Sequence, residues 1–236
     1  MAVLKKEKLC DMSVEGYEHV KQRLLSLAIR KDGCSLLDIG CHHGTFTVEL
    51  GRSVGAKKLY GIDIADKWIR EARRRGVVVK KVDLDKNRFP FRKKIFDVIL
   101  CNQVIEHLTN PDKLLEEIHR TLKDDGYALI STPNLASLHN RLFLFFGSQP
   151  TILAPSTKII FGNPLRGVES GMYGPARHVT AFTYKSFKEM LNHYNFKIDR
   201  YSGSGFYPLK GICAEILAKL FPNLAVYSIA RVSKKI

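Results

Sequence analysis

Leu36-Leu37-Asp38-Ile39-Gly40-Cys41-His42-His43-Gly44 is a short apolar run that ends in an acid and a glycine-bounded loop, with a helix-like segment behind it. A strand, loop and helix in this order let main chain approach a nucleotide-derived ligand closely, with Asp38 at the strand's carboxyl end. His42 stands where such loops most often carry another glycine. If the backbone there needs positive φ, His is among the residues that tolerate it best after glycine.

Outward from this turn, strands and helices alternate. Val14, Tyr17, Val20, Leu24, Leu27 and Ala28 recur at helical spacing and predict an amphipathic helix over 13–31. Strands are expected at Ser35 to Ile39, Lys58 to Ile64, Val77 to Asp85, Phe96 to Asn102 and Tyr127 to Thr132. The Phe96 run is almost continuously apolar, as in a strand covered on both faces. Helices are expected at Thr45 to Val54, around Trp68-Ile69-Ala72, and from an Asn110 cap with Pro111 in the first turn to a stop at Gly126. This alternation predicts a doubly wound, mostly parallel α/β sheet with right-handed crossovers. Asp38, Asp63, Asp83 and Asn102 each fall at a strand's carboxyl end, on the rim where such sheets bind ligands.

After Thr132-Pro133-Asn134 the pattern breaks. Residues 135–178 contain Pro150, Pro155, Pro164 and Pro175 without a sustained period, which predicts a lid or substrate-facing insertion. Thr183 is a plausible cap for a helix bearing Phe187, Met190 and Leu191, and Asn195 suits the left-handed closing position. Two last strands, Phe196 to Ser202 and Ala225 to Ser233, flank a helix around Ile212 to Leu220 and bring the strand count to seven.

Bulk properties narrow the class. The chain has 236 residues, enough for one substantial α/β domain over 1–236. With 45% apolar and 26% charged residues it reads as globular, and its apolar runs fall far short of the ~20 residues that span a bilayer. No secretory pattern opens it, so a cytoplasmic location is expected. Five cysteines without C-x-x-C spacing argue against a disulfide framework or a zinc knuckle, and Cys41 reads as a small apolar loop residue. The net charge of +15 is spread over Lys57-Lys58, Arg73-Arg74-Arg75, Lys80-Lys81 and Arg92-Lys93-Lys94, which suggests a cationic surface or a polyanionic partner.

From Ser35 to Asn134 the motifs fall in a familiar register. Leu37-Asp38-Ile39-Gly40-Cys41-x-x-Gly44, Gly61-Ile62-Asp63-Ile64, Val82-Asp83-Leu84, Phe96-Asp97-Val98-Ile99 with Val104-Ile105-Glu106-His107-Leu108, and Ser131-Thr132-Pro133-Asn134 together resemble the class I methyltransferases that use S-adenosylmethionine. The likeness is to the broad group that includes the ubiquinone-pathway O-methyltransferases. It implies a seven-stranded sheet with an antiparallel last strand and S-adenosyl-L-methionine as cofactor. Gly40, His42 and Gly44 would pass close to the cofactor's amino-acid end, and Asp38 would order the loop or meet its ammonium. Asp63 with Ile64 would take the ribose, Asp83 and Leu84 would bracket the adenine, and Asn102, Gln103 and Val104 would line the methyl position.

Methyl transfer needs chiefly placement, plus a base where the acceptor hydroxyl has a high pKa. His107 is the candidate base. His178, in a His-x-x-x-Phe-Thr stretch, would face the acceptor or fasten the lid. Related O-methyltransferases often carry Glu-Val-x-Glu-His at the His107 motif, a set that suggests a divalent metal in some; here Gln103 replaces the first acid, and no metal is expected. His43 would be cofactor-adjacent, and Tyr17 and His19 could close over the site.

These residues imply methylation of a small molecule, most readily at oxygen, the acceptor being apolar or lipid-linked in view of Phe143 to Phe146. The competing readings are an RNA methyltransferase, favoured by the basic clusters, and a non-catalytic cofactor-binding protein, favoured by His42. A dinucleotide oxidoreductase would suit Asp63 equally, but its G-x-G-x-x-G fails at His42 and it leaves Asp83 unexplained.

Overall fold

The computed structural model describes residues 17–153, 155, 156, 161–163 and 178–235. In chain order the strands are β1 (Ser35–Ile39), β2 (Lys58–Asp63), β3 (Val78–Lys81), β4 (Phe96–Asn102), β5 (Leu122–Pro133), β6 (Phe196–Ser204) and β7 (Tyr227–Lys234). The helices are α1 (17–27), α2 (Thr45–Val54), α3 (Asp66–Arg74), α4 (Pro111–Thr121), α5 (Leu138–Phe145), α6 (Tyr184–His193) and α7 (Gly211–Leu220). One sheet holds all seven strands in the order β3-β2-β1-β4-β5-β7-β6, with β7 antiparallel to both its neighbours. The doubly wound sheet with an antiparallel last strand is therefore as the sequence predicted.

Strand alternation explains the layers. Successive side chains point to opposite faces, so Leu37, Ile99, Cys101 and Ile130 pack with α4 and α6 through Leu115, Ile118, Phe187 and Leu191. Their neighbours Leu36, Val98, Leu100 and Leu129 pack on the other face with Val20 and Leu24 of α1 and Phe46 and Leu50 of α2. Thr183 caps α6 in a reciprocal capping box with Ser186, and Asn195 closes the helix at φ 59°.

Several boundaries depart from the predicted ones. The first helix ends at residue 27 rather than 31, because the Tyr127 hydroxyl donates to the Ile29 carbonyl at 2.7 Å and takes the Ile29 N–H, turning the chain toward β1; residues 13–16 lie outside the described residues. Gly126 does not stop α4. It lies inside β5, where a Cβ would stand 2.8 Å from the Asp97 carbonyl, so glycine allows the close approach of β4. β3 ends at Lys81, and the Asp83 carbonyl instead accepts from Lys86 and Asn87 N–H in a turn. Within 135–178, expected to be irregular, Leu138–Phe145 forms α5. Its entry is fixed by buried Asn134, whose side chain donates to the Asn223 and Ala225 carbonyls and accepts from Ala136 and Tyr184 N–H. Residues 154, 157–160 and 164–177 of that insertion lie outside the described residues. Among the described residues no helix is long and apolar enough to cross a membrane.

Candidate active site

The loop between β1 and α2 is built on three left-handed residues, Gly40 (φ 72°), His42 (φ 48°) and Gly44 (φ 78°). Position 42 does take a positive φ, and His42 occupies it. Gly40 and Cys41 both donate N–H to the Ile62 carbonyl of β2, which ties the loop to the neighbouring strand. A Cβ at Gly40 would stand 2.6 Å from Val104 Cγ2, so the loop lies in contact with the segment after β4. Asp38 is buried beneath it and accepts from Thr47 Oγ1 of α2 at 2.5 Å. Burial pushes its carboxyl up to about 7, against the opposing pull of the Thr47 hydroxyl.

Asp63, at the end of β2, accepts the His42 N–H at 2.8 Å through one oxygen and the Ala65 N–H at 2.9 Å through the other. It therefore clamps the loop from the adjacent strand. Beside it Ile64 is 58% exposed, an apolar side chain left at the rim. The His42 ring lies 3.7 Å from that of Trp68, and His43 stands next to it at 4.6 Å. Asp83 is near the same edge, since Val82 N–H donates to the Asp63 carbonyl. Its hydrogen bond from Lys86 holds its carboxyl below the usual range. Leu84 packs partly into the core. The neighbouring Asp85, which the sequence did not single out, accepts from Thr109 and Asn110 and so fastens the loop after β4.

At the end of β4, Asn102 accepts from Ser131 Oγ at 2.6 Å, and Gln103, at φ 55°, donates its amide to the same oxygen. Tyr17 of α1 reaches this point, with its hydroxyl 3.4 Å from Asn102 Nδ2. His19, expected to close over the site with Tyr17, faces Glu215 of α7 at 3.7 Å instead.

The two histidines singled out from the sequence come together although 71 positions separate them in the chain: the rings of His107 and His178 are 4.9 Å apart. Glu106 joins them, and ligating atoms of all three are within 4.8 Å of one another. Glu106 is 2% exposed; one carboxyl oxygen accepts from Thr132 at 3.3 Å and the other has no hydrogen-bond partner among the described residues. Burial raises its pKa to about 8, which favours the neutral carboxylic acid over the carboxylate. His178 is pushed the other way, to about 4, first by burial and then by the neighbouring His107. Its Nδ1 lies 3.1 Å from the Ile152 carbonyl. Only an N–H can face a carbonyl, so in the neutral ring Nε2 is left as the proton acceptor. The sequence reading met Glu106 only as the second acid of the Glu-Val-x-Glu-His motif; its burial and its approach to His178 are revealed by folding alone.

Residues 13–201 match the methyltransferase domain family. Among curated relatives, human mitochondrial ubiquinone biosynthesis O-methyltransferase is 26% identical over 225 residues, 83% of this chain and 59% of that protein. The tRNA U34 carboxymethyltransferase of Campylobacter curvus is 26% identical over 51% of this chain and 42% of its own. The chain thus spans about half the length of the curated relatives it matches. A solved S-adenosylmethionine dependent methyltransferase from Mesorhizobium loti superposes with TM-score 0.59 at 17% identity, covering 89% of this chain and 95% of that one, a likeness of fold.

Proposed function

The chain belongs to the class I methyltransferase domain family, and from that premise we propose that it transfers a methyl group from S-adenosylmethionine to a hydroxyl of a small, apolar acceptor. The residues at the rim suit this cofactor. The Gly40 to Gly44 main chain and the start of α2 would receive its carboxylate, Asp63 its ribose hydroxyls, Ile64 and Leu84 the faces of its adenine, and Asp83 the adenine amino group. Asn102, Gln103 and Val104 would border the reacting end. The cofactor supplies an electrophilic methyl on a sulfonium.

What the chain adds is placement and a proton acceptor. The observation that carries the reading is the meeting of two histidines: the His178 ring lies 4.9 Å from that of His107, with its Nδ1 3.1 Å from the Ile152 carbonyl, which leaves Nε2 as the acceptor in the neutral ring. His178 Nε2 would take the hydroxyl proton as the methyl leaves sulfur for the acceptor oxygen. His107, next along, shares that role or positions the ring.

Calorimetric titration with S-adenosylmethionine should show binding that weakens sharply in Asp63→Ala, and no binding by the parent protein would overturn the cofactor assignment. A panel of phenols and apolar alcohols, followed by S-adenosylhomocysteine release, tests the acceptor class. RNA is the second reading, favoured by the exposed cations Lys67, Arg70, Arg73, Arg74, Arg75 and Lys80 on α3 and β3. Methyl incorporation into RNA with none into the panel would replace the small-molecule reading.

A further inference from the structure

We propose that the outward face of α5 and α7 is a docking surface for an anionic lipid bilayer. β5 and β6 run in the same direction as β1, so their carboxyl ends open on the rim that carries Asp63 and Asn102, and α5 and α7 are the helices that follow those ends. The two helices share one small apolar cluster, in which Leu138 of α5 packs against Phe206, Ala214 and Ala218 around α7. Their inner faces are therefore satisfied. Their outer faces are apolar as well: Ile212, Ile216 and Leu220 recur every four residues along α7, while Leu142 and Phe145 of α5 and the adjoining Phe146 also face solvent. Phe145 is 81% and Ile212 76% exposed. A helix that merely faces water carries polar side chains there, and exposed apolar helix faces mark a binding surface.

Charge selects the occupant. Segments 138–149 and 209–221 hold Arg141, Lys210 and Lys219 against a single acid, Glu215. That acid is engaged, accepting from Arg23 at 2.7 Å and from Ser204 and Gly205. Apolar side chains with a cationic rim, on a chain of net charge +15, match anionic headgroups over an acyl interior. A second copy would bring like charges face to face.

The surface is coupled to the histidine site. Asn140, on the inner side of α5, accepts from Thr151 N–H and hydroxyl, and the next residue, Ile152, offers the carbonyl that holds His178. Docking would present the site to acceptors dissolved in a bilayer. In that respect the inference deepens the reading above, but vesicle binding is measured without cofactor or turnover, so the two fail separately.

The test is sedimentation of the full chain with phosphatidylcholine vesicles, with and without phosphatidylglycerol. The protein should partition onto the anionic vesicles, less so as salt is added. Phe145→Glu/Phe146→Glu and Ile212→Glu/Ile216→Glu should each lower that partition by at least ~10-fold, with circular dichroism and melting unchanged because the side chains are exposed. Three results would overturn the proposal: no partition of the parent, equal partition of folded variants, or a dimer in light scattering that the same substitutions dissolve.

Discussion

Glu106→Gln should make this protein more stable, and increasingly so as pH rises. In the fold Glu106 is 2% exposed with one oxygen unpartnered, and its pKa moves from an ordinary 4.5 to about 8. The folded state thus holds the proton more tightly than the unfolded chain does. The stability this confers is full below pH 4.5 and is lost as pH rises through 8, at ~1.4 kcal/mol per pH unit. Across that window the loss is about 5 kcal/mol, and about 3 kcal/mol has gone by pH 7. Glutamine keeps the shape without the ionisation, offset by about 1–2 kcal/mol if its amide lacks a partner. Urea unfolding of parent and variant at pH 5, 6, 7 and 8 reads the effect as a difference, in which the perturbed Asp38 cancels. The gap should widen steadily toward pH 8. A gap independent of pH would refute the reasoning, since Glu106 would then ionise in the fold as it does in water.

Other outcomes follow from the same geometry. Gly40→Ala forces an L residue to φ 72° and sets a methyl 2.6 Å from Val104 Cγ2, so unfolding free energy should drop by about 2–4 kcal/mol; adding Val104→Ala should recover the steric part in chemical denaturation. Asn134→Ala removes four hydrogen bonds at a fully buried position and should cost about 3 kcal/mol or more, with loosening of the start of α5 visible in hydrogen exchange. His178→Asn should abolish most turnover while leaving cofactor affinity in calorimetry unchanged. Because the His178 pKa is lowered to about 4, the parent's kcat should hold from pH 7 to below 6; a fall centred near 6.5 would assign the base to another group.

The alternation of apolar runs with capped helical stripes was enough to place β1, α2 and β4 at their observed limits, because each is bounded by local chemistry: a glycine turn, a left-handed closing residue, a strand buried on both faces. Asp63 and Asn102 were legible as the last residues of β2 and β4, whereas Asp38 precedes the end of β1 and Asp83 lies in the turn after β3. Where local chemistry was silent the sequence misled. Gly126 looked like a helix stop and is a point of close strand approach; residues 138–145 looked irregular because their exposed face is apolar and so lacks amphipathic contrast.

By itself, then, the sequence determined the alternation of strands and helices that makes a mostly parallel doubly wound sheet, the glycine-bounded loop with His42 in it, and the polar residues near the strand ends. These follow from short-range periodicity, turn chemistry and the right-handed crossover. Tertiary structure alone decided what those residues do for one another: that Asp63 clamps the His42 N–H, that Asp38 is sealed under Thr47, and that His107 and His178 meet beside buried Glu106. Burial and the approach of residues 71 positions apart are properties of the packed chain. They set the protonation states on which the chemistry depends.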